Sequence, residues 1–372
     1  MMSRMRPKIR LRHKRKRDYT MADKLYFASD YMEGAHPAVL QALERTNMLH
    51  TIGYGQDEVT EAVREKLRAL CGCPGAEIHF LTGGTQTNQV VIDTLLRPWQ
   101  GVIASAGGHV AVHEAGAIEF GGHKVLALPH VQGKLQAEDI RRYVADFKND
   151  ANWEHIVEPG MVYISQPTEY GTLYSLAELR EISAACHEFG LPLYVDGARL
   201  ACALGAPQND VSLRQLAECA DAFYIGGTKC GCLYGEALVI TREGLIPRLF
   251  TQLKQHGAML AKGRIPAVQF DALFTGGLYV ELGKHAVLEA ARIAEALSAA
   301  GFQLYMDAQT NQIFAVMENS MLPALDEQVV YSFIEKYDDT HTVVRFCTSW
   351  ATAQQDVDAL IKIIARLGQG AK

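Results

Sequence analysis

The sequence predicts an α/β protein in which a large open-sheet domain precedes a smaller α+β domain. Seven short apolar runs, rich in Val, Ile, Leu and Tyr, recur between residues 78 and 240 at the length of buried strands. Amphipathic stretches of helical period lie between several of them, and strand, helix, strand in repetition marks α/β architecture. Beyond about residue 270 the pattern changes to one long helix, three strand-like runs and a closing helix.

In chain order, residues 1–20 form a basic tail expected to be disordered, 21–270 the large domain and 271–372 the small one. The runs at 78–81, 102–105, 124–128 and 161–165 are IHFL, VIAS, KVLAL and MVYIS. Those at 191–195, 222–226 and 237–240 are LPLYV, AFYIG and ALVI. Most end in Gly, Asp, Ser or Thr, residues that terminate strands. NQVVIDTLL at 88–96 and SLAELREISAACHEF at 175–189 repeat apolar positions at helical spacing. The long helix over 282–301 stops at a glycine. FQLYM, QIFAVM and TVVRFCT then read as strands, and a helix near 354–367 closes the chain.

Nine of the 36 Lys and Arg fall within residues 1–17, which contain no acid. Without residues 1–20 the chain carries 27 bases against 41 acids, a formal −14 in place of −6. So acidic a body disfavours nucleic acid as a partner. No stretch reaches the ~18 uninterrupted apolar residues of a membrane span, so no membrane partner is expected. The tail lacks the apolar run of a secretory signal, and Met21 offers a second start. Among eight cysteines, Cys71/Cys73 and Cys230/Cys232 are C-x-C pairs, a spacing of neither zinc ribbons nor C-x-x-C redox sites. Reduced thiols in a cytoplasmic protein are the expectation.

Chemistry in an open α/β sheet collects just beyond the carboxyl ends of its strands. The segments after the runs contain no G-x-G-x-x-G, no P-loop and no G-x-S-x-G. His109 and His113 are spaced i, i+4 but lack the H-E-x-x-H order of a zinc helix, so no metal is expected. Lys229 follows a buried strand and is flanked by Gly226, Gly227, Thr228 and Gly231, small neighbours that admit a ring. Asp196 ends LPLYV, with Arg199 three residues on, placed to hold that Asp or to contact cofactor or substrate. Gly83, Gly84 and Thr85 precede a helical pattern, where backbone N–H groups and a hydroxyl make a phosphate cradle. His109 follows Gly107 and Gly108 and can lie over an aromatic ring.

Singly, each has a plainer reading: a turn lysine, a helix-capping Asp, a glycine-rich turn, a structural histidine. Jointly they supply the amine, the acid, the phosphate cradle and the flat cover that pyridoxal 5′-phosphate requires. His113 reads as structural and Glu114 as a loop acid without a role.

TGGTQTN, GGHVAVHEAGA, VDGARL and GGTKCG together resemble the low-specificity L-threonine aldolases of the β-eliminating lyase group, within the aspartate aminotransferase-like superfamily. The likeness runs from about residue 27 to 351. It implies fold type I, with a large, mostly parallel, doubly wound sheet and a homodimer or homotetramer with shared sites. It also implies Lys229 as the covalent anchor of pyridoxal phosphate, Asp196 at the pyridine nitrogen, His109 on the ring, and Gly84 with Thr85 at the phosphate. Arg199 and Arg345 match arginines near the cofactor and the substrate carboxylate, Ser29 matches a serine in Ser-Asp, and Tyr54 in Y-G-Q-D a tyrosine presented to the neighbouring subunit's site.

The implied reaction is cleavage of L-threonine, L-allo-threonine or a related L-β-hydroxy-α-amino acid to glycine and an aldehyde. β-Elimination or transamination of another amino acid would use the same lysine and aspartate. His109 is the first candidate base for the β-hydroxyl proton and Glu169 the second. Two segments depart from the family pattern. Its E-N-T-H-N reads Gln166-Pro167-Thr168-Glu169-Tyr170, and its G-G-G-M-R-Q reads Gly257-Ala258-Met259-Leu260, with Lys262 or Arg264 as substitutes for the missing arginine.

Overall fold

A computed structural model describes residues 24–370, so the expected disordered tail lies outside the described residues. A seven-stranded sheet runs in the order Glu77–Leu81, Glu236–Ile240, Ala222–Gly226, Leu193–Asp196, Glu158–Ser165, Gln100–Ser105 and Lys124–Leu128. Glu236–Ile240 is antiparallel to both neighbours, and the remaining pairings are parallel. Each run read as a strand between residues 78 and 240 belongs to this sheet.

Strand alternation builds a core on each face. Val162, Ile164, Leu193, Val195, Phe223 and Ile225 enter one core; Met161, Tyr163, Tyr194, Ala222 and Tyr224 enter the other. Helices cover both faces, the doubly wound arrangement. Because Tyr163 is in register with Tyr194, three tyrosines from adjacent strands stand side by side, ring centroids 5.9 and 6.4 Å apart. Asp196 lies two residues beyond Tyr194 and so projects from the same face.

The helix Leu176–Glu188 begins where expected, with Ser175 and Glu178 forming both halves of a capping box. The helix Gly84–Leu95 starts earlier than the apolar pattern at 88 suggested, because its polar first turn carries no periodic signal. Its N-terminus has no side-chain cap.

In the C-terminal region, Ser332–Lys336, His341–Cys347, Gln312–Glu318 and Gln303–Leu304 make an antiparallel sheet in that order. Leu25–Tyr26 pairs with Val329–Val330, bringing the start of the described chain to this region. The helix Leu278–Ala299 joins the two parts. Tyr279, Leu282, Ala286 and Val287 enter the large-sheet core, whereas Ala290, Ile293 and Leu297 enter the C-terminal core. Gly283 on this helix meets Leu200–Gly205 so closely that a Cβ there would stand 1.9 Å from the Ala201 carbonyl oxygen. The helix Arg264–Leu273 runs through residue 270 and packs on Pro37–Thr46 and Glu58–Cys71.

Candidate active site

A cavity of about 350 Å³ opens at the carboxyl ends of the central strands. Lys229, Asp196, His109, Gly84, Thr85, Arg199 and Glu169 all line it. Residues 84 to 229, remote in sequence, therefore share one space because each follows a strand that ends at the same edge.

Asp196 is almost wholly buried, yet its carboxylate accepts four hydrogen bonds. Oδ1 accepts the Tyr224 hydroxyl at 2.6 Å and the Ala198 N–H at 2.9 Å. Oδ2 accepts the Tyr163 hydroxyl at 2.7 Å and the Asn88 amide at 3.0 Å. Burial pushes its pKa up, but the positive His109 and these donors outweigh it and hold the carboxyl below its usual range. Asn88 is fixed in turn, its Oδ1 accepting the Tyr194 hydroxyl at 2.8 Å.

Lys229 lies in the loop between the antiparallel neighbours Ala222–Gly226 and Glu236–Ile240. Glu236 pins that loop, accepting the Gly227 N–H at 2.9 Å and the Thr228 hydroxyl at 2.7 Å. Burial, then the like charge of Arg199, lower the Lys229 pKa, which enlarges its neutral fraction. Burial also lifts Glu236 to about 7. Tyr31 leans over the lysine, with Nζ 5.9 Å from the ring centroid.

Arg199 does not hold Asp196. Its Nε and Nη2 donate to Asp30 at 2.5 and 3.1 Å, and Asn311 adds an amide at 2.8 Å. Burial alone would raise the Asp30 carboxyl, but Arg199 and Lys229 keep it at about 2. An ion pair this enclosed holds its geometry, because separating it leaves a charge buried without a partner.

His109 opens the short helix His109–Val112. Its Nδ1 is 2.7 Å from Oε1 of Glu114, whose side chain is fully enclosed and also accepts the Asn88 amide at 2.8 Å. Glu114, given no role by the sequence, is thus the partner that orients the His109 ring. Burial lowers the His109 pKa, but the Glu114 hydrogen bond and Asp196 charge prevail and raise it. Glu169 sits against the same turn. Its Oε1 accepts the His109 backbone N–H at 2.9 Å and the Ser165 hydroxyl at 2.6 Å. Burial raises its pKa, with Asp196 adding to the effect.

His113, read as structural, also lines the cavity, as does Tyr31. Burial and then His109 and Arg345 push the His113 pKa down. Ser29, Arg345 and Tyr54 are not among the lining residues. Ser29 is buried next to Asp30. Arg345 donates to the Ala28 carbonyl, Gln312 and Ser332 at 2.9–3.1 Å, and its Nε is buried without a partner among the described residues. Tyr54 is 39% exposed, with Lys254 Nζ 4.0 Å from its ring centroid. Arg264 donates to Thr46, Asn47 and Thr51, tying down the segment before Tyr54.

The profile of the family described as beta-eliminating lyase matches residues 26–320 of this chain. The chain is a member of the beta-eliminating lyase family. This member is 32% identical to the low-specificity L-threonine aldolase of Pseudomonas sp., over 90% of the chain and 95% of that relative. It is also 32% identical to the enzyme of that name from Pseudomonas aeruginosa, over 93% of the chain and 98% of the relative. The solved structure of Leishmania major threonine aldolase superposes with a TM-score of 0.89 at 41% identity, covering 92% of this lyase-family chain and 99% of that one. An aspartate aminotransferase from Thermus thermophilus, 16% identical with a TM-score of 0.68 over 93% and 92% of the two chains, shares the fold. Fold type I is therefore the fold of this family member, as the resemblance implied.

Proposed function

We propose that this protein is a pyridoxal 5′-phosphate-dependent aldolase cleaving L-threonine, L-allo-threonine or related L-β-hydroxy-α-amino acids to glycine and an aldehyde. The observation that carries the reading is the convergence of Lys229 and Asp196 on one cavity, in a chain similar to threonine aldolases along most of its length. The cavity suits the cofactor. The uncapped N–H groups at the start of Gly84–Leu95 are available to a phosphate. A Cβ at Gly84 would stand 2.9 Å from the Tyr224 hydroxyl, so glycine keeps that approach open.

Pyridoxal phosphate, when bound, supplies an electron sink for the pair released at the substrate's Cα. Lys229, its pKa lowered by burial, would hold the cofactor covalently through a neutral amine. Asp196, held below its usual pKa range, would keep the cofactor's pyridine nitrogen protonated. His109, oriented by Glu114, would lie against the ring. Gly84 and Thr85 would hold the phosphate and Arg199 the substrate carboxylate, with Arg345 anchoring the segment of Ser29 behind it through the Ala28 carbonyl.

A homodimer or homotetramer with shared sites belongs to the same reading. Met48, Leu49, Ile52 and Tyr54 are exposed at 81, 47, 70 and 39%, an apolar segment suited to burial against a second copy. Its Tyr54 would then reach the neighbour's cavity. Eight free cysteines support a cytoplasmic location, and no described helix is long and apolar enough to cross a membrane.

The test is incubation of cofactor-loaded protein with L-threonine, L-allo-threonine and phenylserine, assaying glycine and aldehyde. Formation of both supports the proposal. Ammonia and a keto acid without glycine would move the activity to β-elimination.

A further inference from the structure

Retro-aldol cleavage requires that the β-hydroxyl lose its proton as the Cα–Cβ bond breaks, and the cavity offers several groups that titrate. Asp196 has four donors on its two oxygens, and both oxygens of Glu236 are engaged by Gly227 and Thr228. Lys229 anchors the cofactor, and once the substrate amine displaces it no hydrogen bond among the described residues fixes its amine. The Nδ1 of His109 is committed to the enclosed Glu114. Glu169 differs from all of these. Its Oε1 is fixed by two donors, the Ser165 hydroxyl and the His109 N–H, while Oε2 accepts no hydrogen bond among the described residues.

Resting on the aldolase reading, we propose that Glu169, rather than His109, accepts the β-hydroxyl proton of the substrate. The two donors on Oε1 orient the carboxylate and leave Oε2 as the acceptor for a hydroxyl inside the cavity. The O–H proton passes to Glu169 and the O–H pair becomes the second C–O bond of the aldehyde. The Cα–Cβ pair stays with the glycine fragment, which takes up a proton at Cα from solvent while Glu169 returns its own to solvent, so no net proton is gained or lost. The charge balance agrees. Glu114 and Asp196 favour the protonated His109, which lacks the lone pair a base needs, whereas burial makes the Glu169 carboxylate more basic than an exposed one. His113 is exposed at the mouth of the cavity and makes no hydrogen bond among the described residues that would aim it inward.

Glu169→Gln keeps the size of the side chain and an oxygen able to accept from Ser165 and His109. It is compared in cofactor-loaded form with the parent by two readouts: glycine and acetaldehyde formation from L-threonine, and exchange of the α-hydrogen of glycine with deuterated water. Glycine has no hydroxyl, so its exchange does not call on the proposed base. The expected result is a fall in cleavage of about 10²–10⁴-fold, the usual contribution of a general base, with glycine binding and exchange near the parental rate.

Equal loss of both readouts would make Glu169 a structural residue and overturn the proposal. So would full cleavage by Glu169→Gln alongside collapse in His109→Asn or His113→Asn, which would place the base on that histidine. A parent protein that exchanges glycine but yields no aldehyde from any β-hydroxy amino acid would defeat the aldolase reading itself, a separate outcome.

Discussion

Replacing Asp196 with Asn alters one atom of the carboxylate and nothing of its shape, but its hydrogen-bond partners do not all adapt. With the amide NH₂ at the Oδ2 position, it faces the Tyr163 hydroxyl and the Asn88 Nδ2. The hydroxyl can turn and accept; Asn88 cannot readily flip, because its Oδ1 accepts from Tyr194 and its Nδ2 also serves Glu114. With the NH₂ at Oδ1, it opposes the fixed N–H of Ala198. Either orientation leaves one buried donor facing another, worth about 1–3 kcal/mol of stability. The effect on turnover should be larger. An amide cannot hold a proton on the pyridine nitrogen by charge, and losing ~3 kcal/mol of transition-state stabilisation lowers the rate more than a hundredfold. Urea unfolding measures the first effect, and glycine release from L-threonine by the cofactor-loaded variant measures the second. A variant that takes up cofactor and turns over at nearly the parental rate would refute this account of Asp196.

Lys229→Ala should abolish both the visible absorbance of bound cofactor and turnover, and borohydride reduction of the parent should label the peptide containing Lys229; label elsewhere would sink the assignment. Glu114→Gln removes the charge that lifts His109, so an NMR titration should show that histidine deprotonating at lower pH, and an unchanged titration would contradict the pairing. The linkage has a definite sign: with His109 raised in the folded state, the stabilisation is complete below the ordinary histidine pKa and is lost as pH rises through the raised one, a dependence that should shrink in the variant. Gly283→Ala would force a methyl to 1.9 Å from the Ala201 carbonyl oxygen, and overpacking of about 1–3 kcal/mol should lower the urea midpoint; an unmoved midpoint would show that the helices part freely.

What the sequence disclosed were residues whose meaning lies in their immediate neighbours. Lys229 stands among glycines after an apolar run, and Asp196 ends another, so strand position and composition sufficed to place both at the same end of the sheet. Asn88, Tyr163, Tyr224 and Glu114 escaped notice because each looks ordinary locally. Their role comes from strand register and from a helix laid across the sheet, contacts spanning 26 to 108 residues. The glutamate four residues C-terminal to Ser165 was visible as a departure from the family pattern, but not its two donors. Arg199 was legible as an arginine at the cavity while its partner was not, since Asp30 lies 169 residues away.

That last pairing bears on the order in which the molecule can assemble. Asp30 meets Arg199 across 169 residues and Asn311 across 281, so three distant stretches must be in place before this wall of the cavity exists. Contacts of such separation are entropically expensive to form early and tend to arrive late in folding. A nascent chain could complete the seven-stranded sheet, Lys229 and Asp196 included, and still lack the C-terminal Asn311 that steadies Asp30. Competence to receive a substrate would then be the final act of folding, withheld until the last strands have docked.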